Sequence, residues 1–363
     1  MRHLAKLAAV LCAVAIVATG CGRPATSPAA QSTGSASGPS IKACMVLDIG
    51  GVDDKSFNQS SWAGMQSSAQ AHSNVSVSYV ASNSSSDYTP NLTQTTTSGC
   101  DPVLAVGSLM TTNVTKIATA NPKVHYAQID SASTAPNVYG LQYNTAQGAF
   151  LGGYLAAAMS KTGTVGTWGG ESFPAVTIYM DGFWEGVQYY NKIQHKSVKV
   201  LGWDENNPKG GTFVNEGNNS FTDQNKGKAI TQAMEQQGAD IVFPVAGGAG
   251  LGAGAAAQAS GGKLNLIWVD TDGCVSAAQY CSYFISSVTK GLTSSVETYM
   301  SQVAKGKFPT GNFIGTLANG GTGLAPFHQW ESKVPAAVKS QLASITKDIE
   351  SGKIKITSPN QPK

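Results

Sequence analysis

The sequence predicts an α/β protein made of two doubly wound parallel-sheet lobes. Short apolar runs alternate with longer helix-like stretches along most of the chain, the pattern of βαβ units. The alternation forms two tandem series, which argues two lobes rather than one continuous sheet. The stretch from about residue 41 to 358 is also long enough for two domains, each with its own core.

Residues 1–20 read as a signal peptide. Arg2, His3 and Lys6 give a basic start, and Leu7 to Val17 is an apolar run too short to cross a bilayer comfortably. The run ends in Val17-Ala18-Thr19-Gly20-Cys21, the pattern of a bacterial lipobox, with Ala18 where Leu is preferred. Cys21 is therefore the expected lipidated residue; an ordinary cleaved signal followed by a chance cysteine is the alternative. Residues 21–40 are rich in Ser, Ala, Gly and Pro, with Arg23 the one charge after Cys21, and such a composition reads as a flexible tether. The expected location is the extracytoplasmic face of the cell membrane, held by a lipid. No second long apolar run follows, so the body is expected to be soluble.

From residue 41 the elements follow in order. Strands are expected at Met45–Leu47, Val75–Val80, Val103–Val106 and Val124–Ile129, with helices at Ser60–Ala71, Tyr88–Ser98 and Thr112–Ala120 between them. A strand at Val138–Leu141, a helix from Thr145 to Ser160 and a strand at Thr164–Thr167 lead into the second series. That series reads as helix Ala175–Asn191, strand Val198–Leu201, helix Gln224–Gln237, strand Ile241–Pro244, helix Leu251–Ala259 and strand Leu264–Val269. After Ser282 come a strand, a helix near Leu292–Ala304 and a last helix near Val334–Glu350. The expected division is a first lobe over 41–143 with a return segment at about 271–306, and a second lobe over 144–270 with a return at about 307–358.

The first strand-to-helix junction, Asp48-Ile-Gly-Gly-Val-Asp-Asp-Lys-Ser-Phe-Asn58, carries three carboxylates, an ammonium, a phenyl ring and a carboxamide. Gly50 and Gly51 permit a sharp turn, and Ser56 is the expected N-cap of the helix, with N–H groups left over for a ligand. Ligands of such sheets bind at the carboxyl ends of the strands. Asp48, at a strand end, is thus the better ligand candidate, whereas Asp53 and Asp54 read as surface-turn acids. Phe57 is placed to stack a flat ligand, with Asn58 to read its edge. Asp130 and Asp270 also end strands.

Arginine occurs only at positions 2 and 23. Anion sites usually recruit its bidentate fork, so a neutral ligand is indicated. Setting aside Arg2 and Lys6 leaves 22 basic against 21 acidic residues, a net charge of +1, which gives no sign of nucleic-acid binding. Of six cysteines, Cys12 lies in the leader and Cys21 at the lipobox. The remaining four allow three pairings in an exported protein. Cys44 and Cys100 stand at the starts of strands that a 2-1-3 order makes neighbours, which favours Cys44–Cys100 and a local Cys274–Cys281 loop. A zinc site is the weaker alternative, because close paired spacing is lacking and the five His lie elsewhere.

The junction Asp-x-Gly-Gly-x-x-Asp-x-Ser-Phe-Asn resembles the opening signature of the basic membrane protein family of ABC-transporter substrate-binding lipoproteins, which includes purine nucleoside receptors. Later positions keep that family's order: Tyr126-Ala-Gln-Ile-Asp130, Asn137-Val-Tyr-Gly-Leu141, the small-residue helix Gly148–Met159, Asn219-Ser-Phe221-Thr-Asp223, Val245-Ala-Gly247-Gly248 and Val269-Asp270. The resemblance covers about residues 42 to 290 and departs at Asp204–Gly217, which is longer than usual. It implies a type I periplasmic-binding-protein-like fold with a hinge and a cleft. It implies capture of a purine nucleoside by Asp48, Phe57, Asn58, Asp130, Phe221, Gly247, Asp270 and Lys290, and delivery to an ABC permease. Rings would hold the base, Asn58 and Asp130 its polar edge, and carboxylates with Lys290 the ribose hydroxyls. Tyr179, Phe213 and Trp184 rival Phe221 for the second stacking face. No cofactor, metal or catalytic residue is expected, and the protein is expected to be a monomer.

Competing chemistries are weaker. A neutral sugar is the other ligand class. A lipid-anchored glycosidase or nucleosidase would need paired acids, and Asp53 and Asp54, adjacent on a turn, point apart. No Gly-x-Ser-x-Gly elbow occurs. Gly252-x-Gly254-x-x-Ala257 fits a relaxed dinucleotide pattern, but a nicotinamide cofactor is not expected outside the cell.

Overall fold

The computed structural model describes residues 38–363 except Glu216. The signal peptide, Cys21 and the tether up to residue 37 lie outside the described residues. The elements are β1 Ile41–Leu47, α1 Phe57–Ala71, β2 Val75–Ala81, α2 Tyr88–Thr97, β3 Val103–Val106, α3 Thr111–Ala120, β4 Tyr126–Ile129 and β5 Val138–Tyr143. Then follow α4 Thr145–Met159, β6 Thr164–Gly169, α5 Pro174–Gln194, β7 Lys199–Leu201, α6 Gln224–Gln236, β8 Ile241–Val245, α7 Leu251–Ala259 and β9 Asn265–Asp270. The chain finishes with α8 Gly273–Ser276, β10 Phe284–Lys290, α9 Leu292–Val303, β11 Gly311–Gly315, β12 Thr322–Leu324 and α10 Ala336–Glu350.

Two six-stranded sheets result, β11-β5-β4-β3-β1-β2 and β12-β10-β9-β8-β6-β7. Every pairing is parallel except β10 with β12. Central strands such as β3 and β8 are buried along their whole length, which is why they read as unbroken apolar runs. Taken position by position, the two sheets repeat one order, so β4 corresponds to β9. Both of those strands deliver an Asp in the left-handed region, Asp130 at φ 63° and Asp270 at φ 64°, a conformation that Asp tolerates better than most residues.

The return segments differ from the expected division. β10, placed by the sequence reading with the first lobe, pairs with β9 in the second sheet. β11, placed with the second lobe, pairs with β5 in the first. The chain therefore crosses between lobes at Asn144, at Gly291 and between β11 and β12. An apolar strand does not record which of two similar sheet edges it joins, so this exchange is a long-range outcome.

Disulfides join Cys44 to Cys100, with Cα atoms 5.7 Å apart, and Cys274 to Cys281, with Cα atoms 4.5 Å apart. The first is favoured by register, since Cys44 on β1 lies opposite Val103 of the neighbouring β3. Gly252 and Gly254 sit inside α7. A Cβ at Gly252 would collide with the backbone oxygen of Gln224, and one at Gly254 with the Tyr280 ring. Close packing of α7 accounts for both glycines, and no phosphate loop is formed.

Candidate functional site

The carboxyl ends of both sheets meet in one cavity, whose void is about 540 Å³ with its open part included. Asp48, Phe57, Asn58, Asp130, Phe221, Gly247, Asp270 and Lys290 all line it. Of the rivals for the second stacking face, Tyr179 lines it too, whereas Phe213 packs against Trp203.

The first lobe builds its share on the β1–α1 turn. Ser56 precedes α1 but makes no side-chain cap. Asp54 caps instead: Oδ1 accepts from the backbone N–H of Ser56 at 3.0 Å and of Gln59 at 3.1 Å, and Oδ2 from that of Asn58 at 2.8 Å. The N–H groups expected to await a ligand are thereby taken by Asp54. It is buried, not a surface-turn acid, and burial pushes its carboxyl up to about 6 despite those three bonds. Asp53 is exposed beside Lys55, as expected of a turn acid.

Asp48 Oδ1 accepts from Asn58 Nδ2 at 3.0 Å. Gly107, at φ 109°, gives Asp48 its room, because a Cβ there would run into the carboxylate. Burial raises the Asp48 carboxyl well above the ordinary range, and the Asn58 bond opposes this. Asn58 Oδ1 is buried and has no hydrogen-bond partner among the described residues.

The centre of the site is Lys290, at the end of β10 and only 6% exposed. Its Nζ donates to Asp130 Oδ2 at 2.8 Å and lies 3.9 Å from Asp270 Oδ1. The rings of Phe57, Tyr179 and Tyr143 surround it at 4.8, 5.2 and 5.6 Å from their centroids, close enough for cation–π attraction. Burial raises the Asp130 carboxyl and Lys290 lowers it again. Asp270 is further occupied: Ser56 Oγ donates to its Oδ2 at 2.7 Å, and Tyr179 OH to its Oδ1 at 2.5 Å. The Ser56 bond joins the lobes, and Trp268 Nε1 and Thr271 Oγ1 add two more by donating to Lys55 O at 3.3 and 3.2 Å.

Phe173, absent from the sequence expectations, also lines the cavity and meets Phe221 edge-on at 6.0 Å. The available signal was its place directly before Pro174, which opens α5. That junction follows β6 as the Phe57 junction follows β1. Chemically, the cavity offers apolar ring faces from both lobes, four carboxylates and one cation, Lys290, already engaged.

Comparison with known proteins agrees with this architecture. The family model described as ABC transporter substrate-binding protein, PnrA-like, matches residues 41–357. The chain is similar to the ABC transporter nucleoside-binding protein BmpA of Lactococcus lactis subsp. cremoris, 29% identical over 98% of this chain and 99% of that one. It is similar to Basic membrane protein B of Borrelia garinii subsp. bavariensis, 32% identical over 73% and 74%. Among solved structures, a solute-binding protein of an ABC transporter system from Aeropyrum pernix K1 matches with a TM-score of 0.77 at 24% identity, covering 88% of this chain and 94% of that one.

Proposed function

This chain belongs to the Bmp family of PnrA-like ABC transporter substrate-binding proteins, and from that premise we propose that it captures a purine nucleoside between its lobes and delivers it to an ABC permease. The observation that carries the reading is the cavity's composition. Phe57 comes from the first lobe and Phe221 from the second, and both line the space in which a flat base would lie. Every carboxylate lining it can accept from a hydroxyl or amino group, whereas Lys290 is already paired. An anion would face four carboxylates with no spare cation, so a neutral, hydroxylated, aromatic ligand fits best.

Within this reading the Asp48–Asn58 pair meets the edge of the base. Asp130 goes with Asp270 and Lys290 to the sugar, because Lys290 is bonded to it directly. Lipidation of Cys21 would hold the receptor, as a monomer, at the outer face of the membrane beside its permease. Titration calorimetry with adenosine, guanosine, inosine, free bases and hexoses tests the assignment. Binding of nucleosides with the ligand recovered unchanged supports it, and release of free base from inosine would instead reveal an enzyme. Saturable hexose binding with none for nucleosides would overturn it.

A further inference from the structure

Away from the ligand cavity, the fold gathers a carboxylate, a sulfur and an imidazole that the sequence keeps apart. A carboxylate oxygen of Asp272, Cys274 Sγ and a ring nitrogen of His328 all lie within 4.8 Å of one another. None of the three residues lines the ligand cavity. His328 Nε2 and Asp272 Oδ2 share a hydrogen bond at 2.6 Å, and the two side chains are 34% and 24% exposed. Spacing along the chain hides the group, because His328 reaches it from the turn after β12, 56 residues beyond Asp272.

Cys274 is committed to the disulfide with Cys281, but other bonds also hold the cluster together. Asp272 Oδ1 accepts from the Cys274 backbone N–H at 3.0 Å, and the Gly273 N–H donates to the buried Ser287 Oγ at 3.0 Å. Thr271 Oγ1 and Ser276 Oγ are hydrogen-bonded at 2.7 Å across the same turn. On the other side, Trp330 Nε1 donates to Ser282 O at 3.0 Å and fixes the turn that carries His328. Opening the disulfide therefore leaves Asp272, Cys274 and His328 together and adds a thiol to a carboxylate and an imidazole. Three such ligands with a fourth position for water make an open zinc site. Thiolate with imidazole selects zinc over magnesium or calcium.

We propose that reduction of Cys274–Cys281 converts this corner into a zinc(II) site with Asp272, Cys274 and His328 as its ligands. A dithiol reductant supplies two electrons and two protons: the S–S bond breaks, Cys274 and Cys281 become thiols, and the reductant closes its own disulfide. Zinc then displaces the Cys274 proton to solvent. The proton of the His328–Asp272 bond moves to Nδ1, which frees the Nε2 lone pair for the metal, and water completes the tetrahedron. With the disulfide closed, the carboxylate and the imidazole are left without a thiolate and hold zinc weakly. Disulfide and metal are thus alternative states of one site.

The test titrates zinc(II) and cobalt(II) into the full chain, oxidised and after reduction by dithiothreitol with anaerobic removal of the reductant. The reduced chain should bind one zinc ion, and its cobalt form should show the near-ultraviolet charge-transfer band of a thiolate ligand. The oxidised chain should show neither. Cys281→Ala frees the Cys274 thiol without any reductant and leaves Cys44–Cys100 closed, so it should bind both metals as the reduced parent does. In that background Asp272→Asn and His328→Ala should each weaken zinc binding by at least the ~10-fold that even a supporting group is worth. Equal zinc binding by the oxidised parent, a cobalt complex without the thiolate band, or unchanged affinity on His328→Ala overturns the proposal. If Cys281→Ala folds poorly, the reduced parent is compared with reduced Cys274→Ala, and equal zinc binding by the two overturns it.

Discussion

Replacing Lys290→Met removes the cation at the centre of the cleft while nearly keeping the volume of the side chain. At an effective dielectric of about 20, the 2.8 Å contact with Asp130 is worth roughly 6 kcal/mol of Coulomb attraction, and the 3.9 Å approach to Asp270 roughly 4. Desolvation of the lysine and both acids offsets much of this, and truncating one partner of a buried pair costs about 3–5 kcal/mol in practice. The pH dependence sharpens the expectation. Burial already raises the Asp130 carboxyl and only Lys290 opposes that, so in the variant the folded-state pKa rises further. A raised carboxyl penalises the folded state above its folded pKa and ceases to do so as pH falls through that value. Urea unfolding of ligand-free protein should therefore show a loss of about 3–5 kcal/mol at pH 8 that shrinks at pH 5. Adding Asp130→Asn to the variant should restore part of it. A loss below about 1 kcal/mol at both pH values would mean that the Lys290–Asp130–Asp270 triad does not stabilise the folded protein.

Three further outcomes follow from single sites. Replacing Cys44 and Cys100 by Ala should lower stability by about 2–4 kcal/mol, because the bond closes a loop with a sequence separation of 56; two free thiols in the parent by peptide mapping would refute the pairing. Asp54 is held at about 6 when folded, above its unfolded value, so stability should rise as pH falls from about 6 toward 4. Asp54→Asn should flatten that part of the profile and weaken the start of α1, and an unaltered profile would contradict the assignment. Cys21→Ala should leave the protein without lipid and free of the membrane fraction, and retained lipid labelling would exclude Cys21 as the anchor.

Much of the fold was legible because each β–α alternation is a local pattern, and strands buried on both faces announce themselves as apolar runs. Asp48, Asp130 and Asp270 were legible for a related reason: strand ends of a parallel sheet point into the crevice. Ser56 and Asp54 were misread because a serine before a helix is an ordinary cap. Here its hydroxyl is claimed by Asp270, 214 residues away, and Asp54 takes over the N–H groups. The exchange of β10 and β11 between lobes, the bond from Asn144 to Gln361 and the edge-on approach of Phe173 to Phe221 are likewise contacts between distant segments. No local spacing encodes them.

The central claim, that aromatic faces in this cleft hold a purine base, is tested most directly by Phe57→Ala. Calorimetry should show nucleosides and free bases weakened alike, by about 1–3 kcal/mol, the range for base–aromatic stacking. Phe57 is only partly buried at the edge of the first lobe's core, so the ligand-free protein should melt close to the parent. Parent-like affinity for adenosine, guanosine and inosine, or a lowered melting temperature with no loss specific to base-bearing ligands, would contradict the account.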